Sequence, residues 1–430
     1  MKKVKLINIG CKVNFAETST LKHMLEEKGF AITDKFTDAD AILINTCTVT
    51  NNADADCRAT IRLARRQAPN AFIGVFGCYA QLNADELEHM DEVNAVYGIK
   101  EKFQIPELLL HHIHNGKKLV EVSDLTDLTF DFASSADSQA RSRCFLKIQD
   151  GCAYRCTYCT IPNARGTPRS IPFELLPEKF AEAKQKGFLE IVLSGINLGE
   201  YSSNGYLFED VLELIANNDF GIRFRVSSIE PNLINEKIID LICNAPNICK
   251  HFHIPLQSAS NKILKLMKRR YKAEKLEKVI TKIKSLNNDV CIGLDVITGF
   301  PGETQDDFTQ TYDFIARLPI SYLHVFTYSE RKNTPAATFI DKIPISIRKE
   351  RTNILKNLSD LKLSNFYKEQ VDKLHEFIPE KFIPDEQFHY GHTSNYLNCK
   401  IKVNLKLENK IYSVKTVKID NDKKMLATMI

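Results

Sequence analysis

The sequence lacks any run of 18 or more apolar residues, so no membrane-spanning helix is expected. Its start, MKKVKLINIGCKVN, has an apolar stretch too short and too interrupted for a signal peptide. Strong charge of either sign is also missing. A net charge of +4 permits nucleic-acid binding through local patches without arguing for it. Tryptophan is absent, which excludes nothing by itself. With 43% apolar and 26% charged residues, the 430-residue chain reads as globular and long enough for two or three domains. Its 12 cysteines, without secretion, imply a reducing cytoplasm, where thiols are metal ligands or buried apolar groups rather than disulfides.

Three of these cysteines carry the strongest signal. Cys152, Cys156 and Cys159 form a C-x3-C-x2-C triplet in GCAYRCTYC. Zinc commonly takes two C-x2-C pairs, and no second pair follows. Disulfide pairing would leave one thiol over. Three thiolates can instead hold three irons of a [4Fe–4S] cluster and leave the fourth open to a small molecule. The triplet resembles the signature of the radical S-adenosylmethionine superfamily, and Tyr158, just before the third cysteine, fits that pattern. The resemblance implies that the cofactor chelates the open iron and is cleaved to a 5′-deoxyadenosyl radical.

The first hundred or so residues alternate strand and helix, as a doubly wound parallel sheet does. Apolar runs at 4–10, 41–45 and 71–77 predict strands, with helices near 16–28, 55–67 and 85–90. Cys11 and Cys78 directly follow the first and third strands, and Cys47 follows the second by two residues. Strand C-termini of a parallel sheet share one edge, so these three cysteines should converge there. Three buried structural cysteines are the alternative for any one position. As a set, three strand exits favour a second cluster. Cys57, Cys144, Cys243, Cys249, Cys291 and Cys399 read as structural.

Residues 124–143 are rich in Ser, Asp and Ala and read as a linker between a domain over 1–123 and one over 144–365. Strands predicted at 144–150, 190–195, 223–228, 251–256, 291–299 and 322–329 suggest a partial (β/α)6 barrel with its function at the C-terminal rim. Gly195, Asn197, Ser228, Glu230, Gln257, Asp295 and Gly299 lie on or beyond those strands. Ordinary loop chemistry accounts for any one of them. As a set they are expected to hold S-adenosylmethionine. From about Phe366 a period-two pattern predicts a small antiparallel β-barrel over 366–430, with Ile401, Val403, Leu405 and Leu407 on one face and Lys400, Lys402 and Lys406 on the other. Edge-protecting lysines are the simpler reading of that face, phosphate contacts the other. Arg58, Arg62, Arg65 and Arg66, with the run Lys268–Arg269–Arg270, are further phosphate candidates.

Along essentially its whole length the chain resembles the methylthiotransferase branch of radical S-adenosylmethionine enzymes. The matching segments include GCKVN (10–14), NTCTVTN (45–51), GCYAQ (77–81), KIQDGCAYRCTYCTIPNARG (147–166), SGINLGEY (194–201), PLQSAS (255–260) and DVITGFPGET (295–304). GCKVN and TCTVT favour members acting on N6-threonylcarbamoyladenosine of tRNA over the isopentenyladenosine members. The tail resembles a TRAM domain. The resemblance implies transfer of a methylthio group to adenine C2 at position 37, a radical cluster on Cys152, Cys156 and Cys159, and a sulfur-supplying second cluster on Cys11, Cys47 and Cys78. It implies no catalytic residue beyond these ligands. The implied partners are the tRNA anticodon stem-loop and a low-potential electron donor such as flavodoxin or ferredoxin, with the chain a monomer. Arg165 or Arg58 is expected to bind the threonylcarbamoyl carboxylate. The competing readings are methylthiolation of a ribosomal-protein aspartate, a zinc-holding RNA-binding module without catalysis, and a radical enzyme with one cluster.

Overall fold

β-Branched and aromatic residues clustered in runs of about six build the first sheet of this computed structural model, which describes residues 1–112, 118–135 and 142–430. Its strands are β1 (Lys3–Asn8), β2 (Ala31–Ile32), β3 (Ala41–Thr46), β4 (Phe72–Gly77), β5 (Ala95–Tyr97) and β6 (Leu119–Glu121). All pair in parallel, in the order β2-β1-β3-β4-β5-β6. Ile42, Ile44, Ile73 and Val75 pack on Cys57, Ile61 and Ala64 of helix α2 (Asn51–Gln67). On the opposite face Ala41, Leu43, Phe72 and Phe76 meet Leu21 and Leu25 of α1 (Lys12–Glu27). Burial on both faces is why these strands read as continuous apolar runs. Short helices α3 (Cys78–Leu82) and α4 (Ala84–Glu88) follow β4, and α5 (Ile105–His112) precedes β6. The sequence pattern anticipated β1, β3 and β4. It missed β2, β5 and β6, which at two or three residues are too short to show a period.

The expected linker is partly structured. Ala133–Ser134 (β7) pairs antiparallel with β8 (Arg143–Lys147), and Phe130 and Phe132 pack on the central core. Residues 136–141 of that stretch lie outside the described residues. A two-residue strand β9 (Gln149–Asp150) pairs with β10 (Arg169–Ser170), flanking α6 (Ile161–Arg165). The arc continues through α7 (Leu176–Gln185), β11 (Glu190–Ser194), the hairpin β12 (Ser202–Ser203) and β13 (Tyr206–Leu207), α8 (Phe208–Asn217), β14 (Arg223–Val226) and α9 (Glu236–Asn244). It ends with β15 (His251–Gln257), α10 (Asn261–Leu266), α11 (Ala273–Leu286), β16 (Cys291–Thr298), α12 (Gln305–Arg317), β17 (Tyr322–Thr327) and α13 (Ile345–Glu369). Strands run β7-β8-β11-β14 in one sheet and β15-β16-β17 in the next, joined by bridges Phe224↔Ile248 and Ser228↔His253. This is the expected six-unit arc.

Its strands alternate. Cys144, Leu146, Ile191, Leu193, Phe224, Val226, Ile254, Leu294 and Val296 face the helices in one core. Each Leu or Ile so buried contributes about 1.5–3 kcal/mol. The intervening residues, among them Lys147, Glu190, Arg225, His253, Asp295 and His324, therefore line the inner face. Parallel strands are normally apolar on both faces; here the inner face is mixed, with Phe145 and Val192 packed on Ala16 of α1 and the polar residues held in ion pairs or hydrogen bonds.

The tail is a closed barrel of β18 (Leu374–Ile383), β19 (Phe388–Thr393), β20 (Asn398–Lys402), β21 (Tyr412–Ile419) and β22 (Met425–Met429). One pair, β20–β22, is parallel, so the barrel is not wholly antiparallel. The strand ends at Lys402; of the expected face Ile401 and Val403 join the barrel core and Leu407 packs against it, but Leu405 is 78% exposed. Lys400 is buried and held by Asp420 at 2.6 Å and Asp422 at 3.1 Å, so it is not free for a phosphate. The barrel docks under the strand N-termini, where Arg223 donates to His392 O and Arg225 to Thr393 O.

Candidate functional site

Gly151 makes the turn that presents the cysteine triplet. Its φ is +72°, and a Cβ there would lie 2.0 Å from Thr167 O, so only glycine lets the two segments meet. Cys152 N then donates to Gly166 O (3.1 Å), and Thr157 N to Met267 O (3.1 Å). Tyr154 N donates to Cys152 Sγ (3.3 Å) and Arg269 Nη1 to Cys156 Sγ (3.2 Å). Burial, together with the nearby Cys156, pushes the Cys159 thiol up to about 12. Burial also raises Cys152 and Cys156, the latter against the pull of Arg269. Thiols this reluctant to ionise alone become thiolates when a cationic metal centre compensates them.

A second triad lies at the exits of β1, β3 and β4. Cys11 Sγ donates to Asn14 Oδ1 (3.1 Å), and Asn14 Nδ2 donates to Asn45 Oδ1 (2.7 Å) and Thr46 O (3.1 Å). One amide thus ties the first strand exit to the second. Thr46 Oγ1 donates to Phe76 O (2.6 Å), tying the second to the third. Gly77, at φ +99°, leaves room for Asn45 Oδ1, which a Cβ would approach to 2.4 Å. Burial pushes Cys78 up to about 12 against Arg165, and the charges of Cys47 and Cys11 add to the rise. The three thiols therefore sit within electrostatic reach of one another. Cys57 Sγ only touches Cys47 O at 3.5 Å and packs in the apolar core.

The two triads meet. Thr160, next to Cys159, donates from Oγ1 to Thr48 O, next to Cys47, at 3.4 Å. Arg331, after β17, reaches Asn51 (2.6 Å), Thr48 (2.5 Å) and Asp54 (2.6 Å), pinning the Cys47 loop.

Arg165 does not face the lumen as a carboxylate reader. It is fully buried, with Nη1 and Nη2 each 3.0 Å from the Glu17 carboxylate, Nη1 3.1 Å from Asp150 and Nε 3.2 Å from Cys78 Sγ. Burial alone would raise Glu17 and Asp150, but Arg165, with Lys102 and Lys147, reverses the sign and holds both well below the usual range. Arg58 is likewise engaged, with Tyr79 OH at 2.8 Å and Glu86 at 3.2 Å. Arg65 donates to the carbonyls of Pro69, Ala71 and Glu92. Arg269 turns inward, paired with Glu230, and is not a phosphate contact.

The rim residues divide by what they already touch. Asn197 is buried with both side-chain polar atoms unpartnered, and Gln257, at φ +60°, has a buried, unpartnered Oε1. Ser227, the neighbour of Ser228 at the same strand exit, is unpartnered in the same way. Gly195 leaves room for Gln149 Oε1, 2.9 Å from where a Cβ would stand, and that oxygen accepts from Asn197 N (2.8 Å). Tyr158 is enclosed beside Phe300, its hydroxyl 3.4 Å from Arg269 Nη1. Ser228 Oγ lies 2.6 Å from His253 Nδ1, and His253 Nε2 lies 2.9 Å from Asp295. Burial would raise Asp295, but bonds from His253 and His324 hold it at about 2. Gly299 is accounted for by packing: at φ +72° its Cβ would stand 2.2 Å from Arg348 Cγ.

Residues 146–315 match the Radical SAM superfamily, and residues 3–98 match the uncharacterized protein family UPF0004. The threonylcarbamoyladenosine tRNA methylthiotransferase MtaB of Aquifex aeolicus is 38% identical over 86% of this chain and 91% of its own length. That of Bacillus subtilis is 35% identical over 97% and 94%. The tRNA-2-methylthio-N(6)-dimethylallyladenosine synthase of Fusobacterium nucleatum is 32% identical over 96% and 97%. Among solved structures, the radical S-adenosylmethionine methyltransferase TsrM of Kitasatospora setae shares the fold, with a TM-score of 0.57 at 14% identity over 78% of this chain and 75% of that one.

Proposed function

The chain belongs to the radical S-adenosylmethionine methylthiotransferase family, and from this we propose that it adds a methylthio group to C2 of N6-threonylcarbamoyladenosine at position 37 of tRNA. The observation that carries the reading is the meeting of two three-cysteine sites across Thr160 and Thr48, in a chain similar along most of its length to enzymes named for that substrate.

A [4Fe–4S] cluster and S-adenosylmethionine come with the superfamily, and the residues present fit them. Cys152, Cys156 and Cys159 would hold the cluster. The unpartnered polar atoms of Asn197 and Gln257 are what a polar cofactor would satisfy, with Gly195, Ser228 and Glu230 beside them. Bound there, the pair supplies hydrogen-atom abstraction, which the strong, non-acidic C2–H bond needs and acid–base catalysis cannot provide. Arg269 places positive charge at Cys156 and neutralises Glu230. Tyr158 and Phe300 close off that side from water.

The finer assignments are ours as well. Cys11, Cys47 and Cys78 hold a second [4Fe–4S] cluster that supplies sulfur, with Arg165 compensating charge at Cys78. The substrate element is the anticodon stem-loop, the electron donor a low-potential flavodoxin or ferredoxin, and the enzyme a cytoplasmic monomer. No helix among the described residues is long and apolar enough to cross a membrane.

Mass spectrometry of tRNA nucleosides from cells lacking the gene tests the substrate. Loss of 2-methylthio-N6-threonylcarbamoyladenosine with accumulation of its precursor is expected. Loss of the isopentenyl counterpart instead would put the chain in the other tRNA branch. Persistence of both would point to the ribosomal-protein substrate.

A further inference from the structure

β17 is the last strand of the arc, and its two faces differ in kind. Leu323 and Val325 turn to the helical core, and Thr327 Oγ1 meets Thr352 Oγ1 of α13 at 2.7 Å. The alternate residues His324 and Phe326 therefore point inward, and both are exposed, Phe326 at 44%. On β8 and β11 the inner face is covered, because Phe145 and Val192 pack on Ala16 of α1. On β17 it is open. A single exposed phenylalanine is ordinary on an outer surface. This one stands on an inner strand face, and two further observations set it beside the chemistry.

The first is where β17 leads. Three residues beyond Phe326, Ser329 Oγ accepts from Asn51 N (3.0 Å), in the stretch that follows Cys47. Farther on, Ala336 N donates to Thr157 O (2.9 Å), between Cys156 and Cys159. The segment that leaves Phe326 thus touches both triads. The second is how His324 is held. Its Nδ1 lies 3.3 Å from Asp295, which also takes His253 Nε2 at 2.9 Å. Asp295 is ionised and only accepts, so both histidines donate to it. His253 Nδ1 is already taken by Ser228 Oγ at 2.6 Å. A neutral His324 ring then offers Nε2 as an acceptor, and that atom has no partner among the described residues.

We propose that Phe326 is the platform on which the target nucleobase stacks, with His324 Nε2 accepting a hydrogen bond from the group on its N6. The proposal rests on the substrate reading above. A loop base drawn out of its stack loses a neighbour on each face, and an aromatic ring replaces one without reading sequence. The threonylcarbamoyl group adds an amide N–H and a hydroxyl as donors for Nε2; an isopentenyl group adds none. Phe326 therefore serves the binding of any adenosine at that position, and His324 the choice among them.

The two contributions separate in one experiment. Equilibrium binding to the loaded enzyme is measured for two anticodon stem-loops, one with unmodified adenosine at position 37 and one with N6-threonylcarbamoyladenosine, together with iron content and single-turnover methylthiolation. Phe326→Leu keeps an apolar side chain without a ring and is expected to weaken both stem-loops by roughly 5- to 100-fold, whereas Phe326→Trp should keep both bound. His324→Ala should weaken the modified stem-loop alone, by roughly 2- to 10-fold. Iron should be retained in all three variants. Wild-type affinity for both stem-loops in Phe326→Leu, or equal weakening of both by His324→Ala, overturns the proposal and leaves the substrate reading standing. A wild type that methylthiolates neither stem-loop overturns the substrate reading and this proposal together.

Discussion

Arg165 Nε lies 3.2 Å from Cys78 Sγ, so a side chain on the helix just past one cysteine triplet supplies the cation at the other. The same guanidinium grips Glu17 and Asp150, joining the two domains at a point where neither carboxylate meets solvent.

Removing that cation leaves Glu17 with Lys102 (3.3 Å) and Lys147 (3.2 Å), and Asp150 with Lys147 (3.2 Å) and Arg169 (3.0 Å). Arg165→Gln is expected to cost about 1.5–3 kcal/mol in urea unfolding, the range of lost hydrogen bonds to charged groups. Iron should fall from about eight to about four per chain as the second site fails to hold its cluster. Full iron retention alongside the stability loss would show that Arg165 serves the ion cluster only.

The two triads should fail differently. Cys156→Ala is expected to end formation of 5′-deoxyadenosine, whereas Cys78→Ala should leave that cleavage running and end methylthio transfer. Chromatography of both products from one reaction separates the two cases. Loss of cleavage in both variants would argue against separate duties.

Arg269 should tune the cluster rather than hold it. Its Nη1 lies 3.2 Å from Cys156 Sγ, and hydrogen bonds to ligating sulfur raise a cluster's potential. Arg269→Met is expected to retain iron and shift the potential negative by on the order of tens of millivolts in an EPR-monitored redox titration. An unchanged potential would be inconsistent with that role.

Asp307 gives a pH signature away from the site. It caps α12, accepting from Thr304 N (2.9 Å) and Oγ1 (2.8 Å), Ser260 Oγ (2.7 Å) and Lys262 (2.7 Å). Burial would raise its carboxyl, but these bonds outweigh burial and hold it at about 2. A depressed folded value means the stabilisation is complete above the ordinary value near 3.8 and is lost as pH falls through about 2. Asp307→Asn should cost roughly 1–2 kcal/mol at neutral pH and flatten the acid limb of a stability profile. An unaltered acid limb would refute the assignment.

What was legible in the sequence was local. The three strand exits with their cysteines needed only a run of β-branched residues and a turn, and the triplet needed only its spacing. The inner face of the arc also shows in the alternation of Arg223, Phe224, Arg225 and Val226. What was not legible depends on pairs far apart in the chain. Arg165 and Glu17 are 148 positions apart, and Lys147 and Glu17 are 130 apart, so nothing near Arg165 tells that it is buried. Arg269 read as part of a surface charge run because sequence cannot show which member of Lys268–Arg269–Arg270 turns inward. In the tail, a period-two pattern ran past the end of its strand: Leu405 continues the alternation after the chain has left the sheet.

The docking of Arg331 onto Thr48, Asn51 and Asp54 also imposes an order in time. A chain made from its N-terminus exposes Cys11, Cys47 and Cys78 early, but the loop beyond Cys47 gains its clamp only about 280 residues later. Until then the ribosome-bound nascent chain carries three thiols on an unbraced edge. A cluster held there, as proposed above, would gain its fully braced loop only once the last strand of the arc is made.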